Sequence, residues 1–345
     1  MFSMQTQAIM FTAPGEIALQ AIELPDPQPT DVVVRMDVSG VSVGTERWAL
    51  LGKRPEMKFP HVPGYLGIGT ITAVGAQAAT HGWRIGQGIN FARSRLPTAI
   101  ADHSWMGTHL ADAVVDVCAG REVPGEPFHF FRAEPLPDGL DPLAAALTQL
   151  CGVALRGIEM ASIPAGGPVL VVGAGVIGQF AAQVCRLKGA QVMICDLDAA
   201  RLATATMLGV EWTVNSATEV LAERAAAVAP RGFDVIIDTA SIPSVINQVV
   251  PLLRVGGQFV FQGWYPPPSA LDLNAMHGRH PTCFFPCGHS GRHVATAMRW
   301  ARDGRINSRD LLNRVLRPAD APDFFRHMAA SSEAFLGAAI DWRKS

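Results

Sequence analysis

A chain of 345 residues, 49% apolar and only 17% charged, is long enough for about two domains and rich enough in apolar side chains to give each a core. A formal net charge of −2 and a pI of about 6.5 mark neither a nucleic-acid nor an anionic-membrane partner. No stretch reaches the ~18 uninterrupted apolar residues of a membrane span, and the opening MFSMQTQAIMFTAPG lacks a basic region followed by a long apolar one, so a soluble cytoplasmic protein is expected.

Taken in order, residues 7–43 alternate apolar and polar side chains between turn signals, with strands expected at Ala8–Phe11 and Val32–Val38. Ile71–Val74 and Ile85–Phe91 read as further strands. Residues 93–135 are the least legible: Gly107-Thr108-His109 leads into an apolar run at Leu110–Val117, then a Pro/Gly-rich loop at Gly120–Pro127. The turn Leu136–Pro142 supplies an N-cap, and Leu143–Met160 reads as a helix leading into a second domain. From there strands and helices alternate, predicting six parallel strands with covering helices. The tail is helical at Arg292–Asp303 and Ala319–Ala329 and returns through Ala338–Trp342.

The most informative stretch is Pro168–Asp196. An apolar run, Val169–Val172, turns through Gly173-Ala174-Gly175-Val176-Ile177-Gly178 into a helix-compatible segment, and a second apolar run ends on Asp196. Gly173 allows the tight turn, Gly175 the approach of a pyrophosphate, and Gly178 close helix–strand packing; the helix N-terminus attracts phosphate. Asp196 can accept both ribose hydroxyls and would repel a 2′-phosphate, which favours NAD over NADP. Arg201, five residues on, leaves NADP open but reads equally well as a solvated helix residue. Thr239, Gly263, Trp264 and Tyr265 follow later strands, and the family resemblance described below implies that they complete the cofactor set. Pro266-Pro267-Pro268 reads as a stiff loop at the rim.

The order of parts, with Val41–Glu46, Val62–Gly67, Gly173–Gly178 and Val255–Phe259, resembles the medium-chain dehydrogenase/reductase superfamily along essentially the whole chain. The resemblance implies an α/β architecture: a GroES-like β-rich catalytic lobe (1–137 and 290–345) and a Rossmann doubly wound parallel sheet (138–289). Hydride would pass between nicotinamide and a substrate held between the lobes, and a homodimer is expected by analogy. Gly44-Thr45-Glu46, Pro63-Gly64-Tyr65, Gly263-Trp264-Tyr265 and Ile340-Asp341-Trp342 are similar to the bacteriochlorophyllide a dehydrogenase branch, which oxidises a hydroxyethyl group on a chlorin.

The chain departs from that family where zinc is bound. Zinc-using relatives carry a cysteine where Ser42 and Val43 stand and His-Glu where Tyr65-Leu66 stand; only Cys151 falls near a ligand's place, and the four-cysteine structural lobe is absent from 91–105. One thiolate cannot hold Zn²⁺, so no metal is expected. Cys283, Cys287 and His289 are the only other cluster hinting at metal and read as a strand and turn.

Without a Lewis acid, a positioned proton donor or acceptor must substitute, a contribution of about 10²–10⁴-fold. The candidates are Thr45, at the family's proton-relay position; Tyr65, which replaces a ligand and would be acidified beside a positive nicotinium ring; and His61, which also reads as a loop histidine. Glu46 takes the place of a family second-shell acid and is expected to pair with an arginine or cap backbone N–H groups. Tyr65 could instead simply fill the space zinc vacated. Trp48, Trp264, Tyr265, Phe284 and Phe285 suggest a bulky or apolar small-molecule substrate, and serve domain packing equally well. The expected activity is NAD-dependent, zinc-independent oxidation of a secondary alcohol or reduction of its ketone. Reduction of a conjugated C=C bond, or NAD binding without catalysis, are the alternatives.

Overall fold

The computed structural model describes residues 4–54, 57–101, 107–119, 133–265, 269–331 and 335–344. The loop at Gly120–Pro127 and the Pro266–Pro268 run lie outside the described residues. The chain forms two compact units, one of Met1–Gln149, Ser290–Gly304 and Ser308–Ser345, the other of Leu150–His289 and Arg305–Asn307.

The first unit is built on β-structure. An antiparallel hairpin, Met4–Ala13 with Glu16–Leu24, turns at Gly15 (φ +82°). A seven-stranded sheet runs in the order Leu312–Leu316, Gly337–Asp341, Asp31–Val41, Leu66–Val74, Gly88–Phe91, Glu134–Pro135, with Asp112–Asp116 also paired to Asp31–Val41. The last strand thus returns beside the third, matching Ala339 with Gly40. The alternation in Val32, Val34 and Met36 buries one face against Ala8, Met10 and Val114, as a half-buried strand requires. Ile85, expected in a strand, lies outside one and is 70% exposed; strand pairing begins at Gly88.

The helix expected at 143–160 is two helices, Pro142–Ala145 and Thr148–Met160, the first capped by Asp141, whose carboxylate accepts from Ala144 N–H at 3.0 Å. Residues 138–149 fall in the first unit rather than with the dinucleotide domain. Gly40 explains this: a Cβ there would lie 2.3 Å from the Ala146 carbonyl oxygen, so only glycine lets the segment lie against the strand. By length and composition Pro142–Met160 could cross a membrane, but two-thirds of it is buried inside the protein.

The second unit is a six-stranded parallel sheet in the order Trp212–Asn215, Gln191–Asp196, Pro168–Val172, Phe233–Asp238, Leu253–Phe261, Thr282–Phe284. Its order reverses between Pro168–Val172 and Phe233–Asp238, and the crevice at the carboxyl ends of those strands is where such sheets bind ligands. Val169, Leu170, Val171 and Ile236 are fully buried, the continuous apolar run a sheet covered on both faces demands. Cys185 and Cys195 are small core residues whose thiols burial pushes up to about 12.

Candidate active site

The glycine-rich turn has the geometry each glycine was assigned. Gly173 sits at φ +93°, a conformation costly for other residues. A Cβ on Gly175 would meet nothing within 4 Å, leaving its backbone open to a phosphate, whereas one on Gly178 would lie 1.8 Å from the Gly173 oxygen. Gly175 caps the helix Val176–Leu187, whose first N–H groups carry no side-chain partner in the cap and point the positive end of the dipole toward the turn.

Asp196 accepts from Ala174 N–H at 2.6 Å and from Asp198 N–H at 2.9 Å, so it ties the glycine turn to the end of its own strand. Arg201 Nη1 stands 3.8 Å from Asp196, and only 24% of its side chain is exposed, so the solvated-helix expectation is corrected: it covers the carboxylate. Gln179, missed in the sequence because it lies mid-helix, donates to Ala174 O at 3.1 Å and Arg201 O at 2.8 Å and locks both segments together.

Thr239 donates to Val172 O at 2.9 Å and lies 3.1 Å from Gly173 O, bracing the turn from the next strand. Beyond it, Asp238 is fully buried and accepts from Ala240 and Ser241 N–H and from the Tyr265 hydroxyl. Ser241 takes φ +60°, and Gly263 is glycine because a Cβ would lie 1.8 Å from Ser241 Oγ. The Tyr265 hydroxyl therefore faces the strand ends; its ring packs edge-on to Phe261. Trp264 is 46% exposed and Phe285, stacked on Phe261 at 4.5 Å, is 66% exposed.

In the first unit the residues at the expected zinc position form a hydrogen-bonded chain. Ser42 is the N-cap of the helix Val43–Leu50, but its hydroxyl makes no capping bond: it accepts from the Tyr65 hydroxyl at 2.7 Å. Glu46, fully buried, accepts from Ser42 N–H at 2.7 Å with one oxygen and from His109 Nε2 at 2.7 Å with the other. His109 Nδ1 lies 2.9 Å from Ser39 Oγ, which accepts from Trp342 Nε1–H at 2.9 Å. Glu46 thus caps a backbone N–H as anticipated but pairs with a histidine, not an arginine. His109, Ser39 and Ser42 carried no local signal for this assembly.

Burial pushes the Tyr65 phenol above its ordinary 10.0; hydrogen bonds with Ser42 and Thr45 pull it back, the Glu46 charge raises it and Arg54 lowers it. The net shift is upward, so the protein does not by itself acidify this phenol, contrary to expectation. His61 is fully buried, its Nδ1 2.8 Å from Lys58 O and its ring packed on Phe11 and Phe59 at 5.3 and 5.2 Å. It is part of an aromatic core, bridged through its backbone to Phe11.

The donor set does not fit catalytic zinc. Ser42, Thr45 and Tyr65 offer hydroxyls, Glu46 and His109 are spent on each other and fully enclosed, and burial pushes the Cys151 thiol far above its usual range. Among the described residues no three His, Cys, Asp or Glu side chains gather around a common point; Cys283 and Cys287 are exposed and ungrouped.

A parallel sheet with this glycine turn and terminal acid has the form of a dinucleotide-binding domain. Residues 176–301 match the family model "Zinc-binding dehydrogenase". The chain is 28% identical to L-galactonate-5-dehydrogenase of Escherichia coli K12, over 85% of this chain and 84% of the relative. It is 26% identical to 2-desacetyl-2-hydroxyethyl bacteriochlorophyllide A dehydrogenase of Cereibacter sphaeroides, over 99% of each. Its fold matches acetophenone reductase of Geotrichum candidum in complex with NAD, with a TM-score of 0.79 at 17% identity, covering 98% of this chain and 97% of the other. The chain is an oxidoreductase similar to the alcohol dehydrogenases of the medium-chain dehydrogenase/reductase superfamily. Solved structures of the same fold carry NADP as well as NAD or NADH.

Proposed function

We propose that the protein is a zinc-independent, NAD-dependent dehydrogenase of the cytoplasm, interconverting a bulky or apolar secondary alcohol and its ketone, with Tyr65 as the proton-transferring group. The observation that carries this reading is the Tyr65 hydroxyl, hydrogen-bonded to Ser42 where a metal-binding relative would present ligands. None of the six cysteines is in a disulfide, which suits a reducing compartment.

The dinucleotide would lie on the Gly173–Gly178 turn with its ribose toward Asp196; bound nicotinamide supplies or takes the hydride. Asp196 carries the preference for NAD, because a 2′-phosphate would meet its charge, and Arg201 is too close to that carboxylate to serve a phosphate freely. Tyr65, kept protonated through the physiological range, donates its proton to the ketone oxygen as the hydride arrives, while Ser42 and Thr45 hold the phenol in place. A neutral phenol favours the reductive direction; oxidation needs the phenolate and gains at high pH. Exposed Trp264 and Phe285, following the carboxyl ends of their strands, supply apolar surface for a large substrate.

The test is calorimetric titration with NAD and NADP, then turnover with aryl ketones, bulky secondary alcohols, hydroxyethyl chlorins, polyols and enones. Tight NAD binding with turnover of the bulky alcohols or their ketones supports the reading. Turnover confined to enones with NADPH, or binding without turnover, refutes it. Chlorins belong on the panel because the chlorophyllide relative aligns end to end.

A further inference from the structure

We propose that His109 is a positioning residue that holds Tyr65 in place from two sides: its ring supports the Gly64 backbone, and through Glu46 it fixes Ser42, which accepts the Tyr65 hydrogen bond. This deepens the reading above and rests on Tyr65 acting in proton transfer.

Two sets of contacts link His109 to Tyr65. Gly64 sits at φ +89°, and a Cβ there would lie 2.6 Å from His109 Cε1 and Nδ1, so the imidazole packs directly on the backbone that carries Tyr65. On its other side His109 Nε2 meets Glu46, whose second oxygen takes the N–H of Ser42. The ring itself is held by Ser39 and Phe325, the latter at 5.8 Å. An indole N–H only donates, so Ser39 accepts from Trp342 and keeps its own proton for His109 Nδ1; a neutral His109 is then protonated on Nε2, facing Glu46.

A role in stability alone explains this poorly. Fully enclosed charged or polar pairs are often replaceable by apolar side chains at no loss, because desolvation offsets their attraction. Placement of a hydroxyl is a different matter, since a misplacement of about 1 Å at a reacting group can lower turnover about 10²-fold.

The experiment compares His109→Leu and His109→Gln, each with and without Tyr65→Phe. Glutamine can donate to Glu46 and accept from Ser39 but cannot carry a proton as imidazole does. Positioning predicts that His109→Leu lowers kcat for ketone reduction about 10²-fold with KM for NADH unchanged, that His109→Gln restores most of it, and that His109→Leu has no further effect on Tyr65→Phe. An equal loss from His109→Leu in both backgrounds, or no rescue by glutamine, overturns the proposal. The chain has only two tyrosines, so 3-fluorotyrosine labelling gives two fluorine resonances, and the one lost in Tyr65→Phe is assigned to Tyr65. That resonance must shift in His109→Leu and stay in His109→Gln; if it does not move, His109 does not position Tyr65. If Tyr65→Phe keeps full activity while the resonance does move, the catalytic reading fails and the positioning contact stands.

Discussion

The α-carbon of Gly178 faces the Gly173 carbonyl so closely that a Cβ would lie 1.8 Å from its oxygen, whereas a Cβ on Gly175, two residues past Gly173, would meet open space. The two glycines serve different ends, one the packing of helix on strand and the other the approach of a ligand. Gly178→Ala is expected to cost about 1–3 kcal/mol of stability as the turn shifts, and to weaken NAD binding with it. Gly175→Val, at an unstrained φ of −67°, should leave the melting temperature unchanged yet weaken NAD at least about tenfold. Thermal melts and calorimetric titration of the two variants separate these outcomes.

Asp196 braces the turn through Ala174, and in the proposed reading it also meets the ribose. Asp196→Ala should therefore lose about 1.5–3 kcal/mol of stability, the worth of a hydrogen bond to a charged acceptor, and the ratio of NAD to NADP affinity should fall. An unchanged ratio would show that discrimination lies elsewhere.

Tyr65→Phe removes a hydroxyl whose partners are other hydroxyls, so the fold should persist while ketone reduction falls about 10²–10⁴-fold. Because the folded phenol titrates above its ordinary 10.0, its acid form persists throughout the neutral range. The reductive rate should be flat in any profile assigned to this group from pH 6 to 9 and decline only at higher pH. A rise in reduction over that range would mean that the phenolate, not the phenol, is used.

Desolvation raises the Asp238 carboxyl, which Tyr265, Ser241 and Ala240 partly offset by hydrogen bonding. Tyr265→Phe removes one donor from a buried carboxylate and should cost about 1–3 kcal/mol at pH 8. A raised pKa destabilises the fold progressively as pH rises through it, and a protonated Asp238 needs fewer donors. The penalty should thus shrink as pH falls toward the raised pKa of this carboxyl, as denaturant unfolding followed from pH 8 down through the acid range would show.

The glycine turn and its strand-end acid were legible in the sequence because their parts are local: three glycines, a helix and an acid within one strand–helix–strand unit. The hydrogen-bonded chain around Tyr65 was only half legible. Thr45, Glu46 and Tyr65 could be named from their neighbourhood, but His109 reaches Glu46 through the bonding of Ile9 N–H to His109 O, and Trp342 reaches Ser39 through the pairing of the last strand with Asp31–Val41. Such contacts depend on strand register, which alternation alone does not set between distant segments. His61 drew attention as a histidine among prolines, yet the aromatic rings of Phe11 and Phe59 that enclose it lie partly outside its own segment. Helix periodicity alone gives Arg201 a solvated place, because it says nothing of a carboxylate on the preceding strand.

The most direct measurement is steady-state reduction of a bulky aryl ketone by NADH at pH 7 after exhaustive chelation, with the metal content of the same sample determined and Tyr65→Phe run in parallel. Full activity at negligible zinc content, lost about 10²–10⁴-fold in Tyr65→Phe, is the predicted result. Activity that disappears on chelation and returns with Zn²⁺, or a Tyr65→Phe enzyme as fast as wild type, would contradict it.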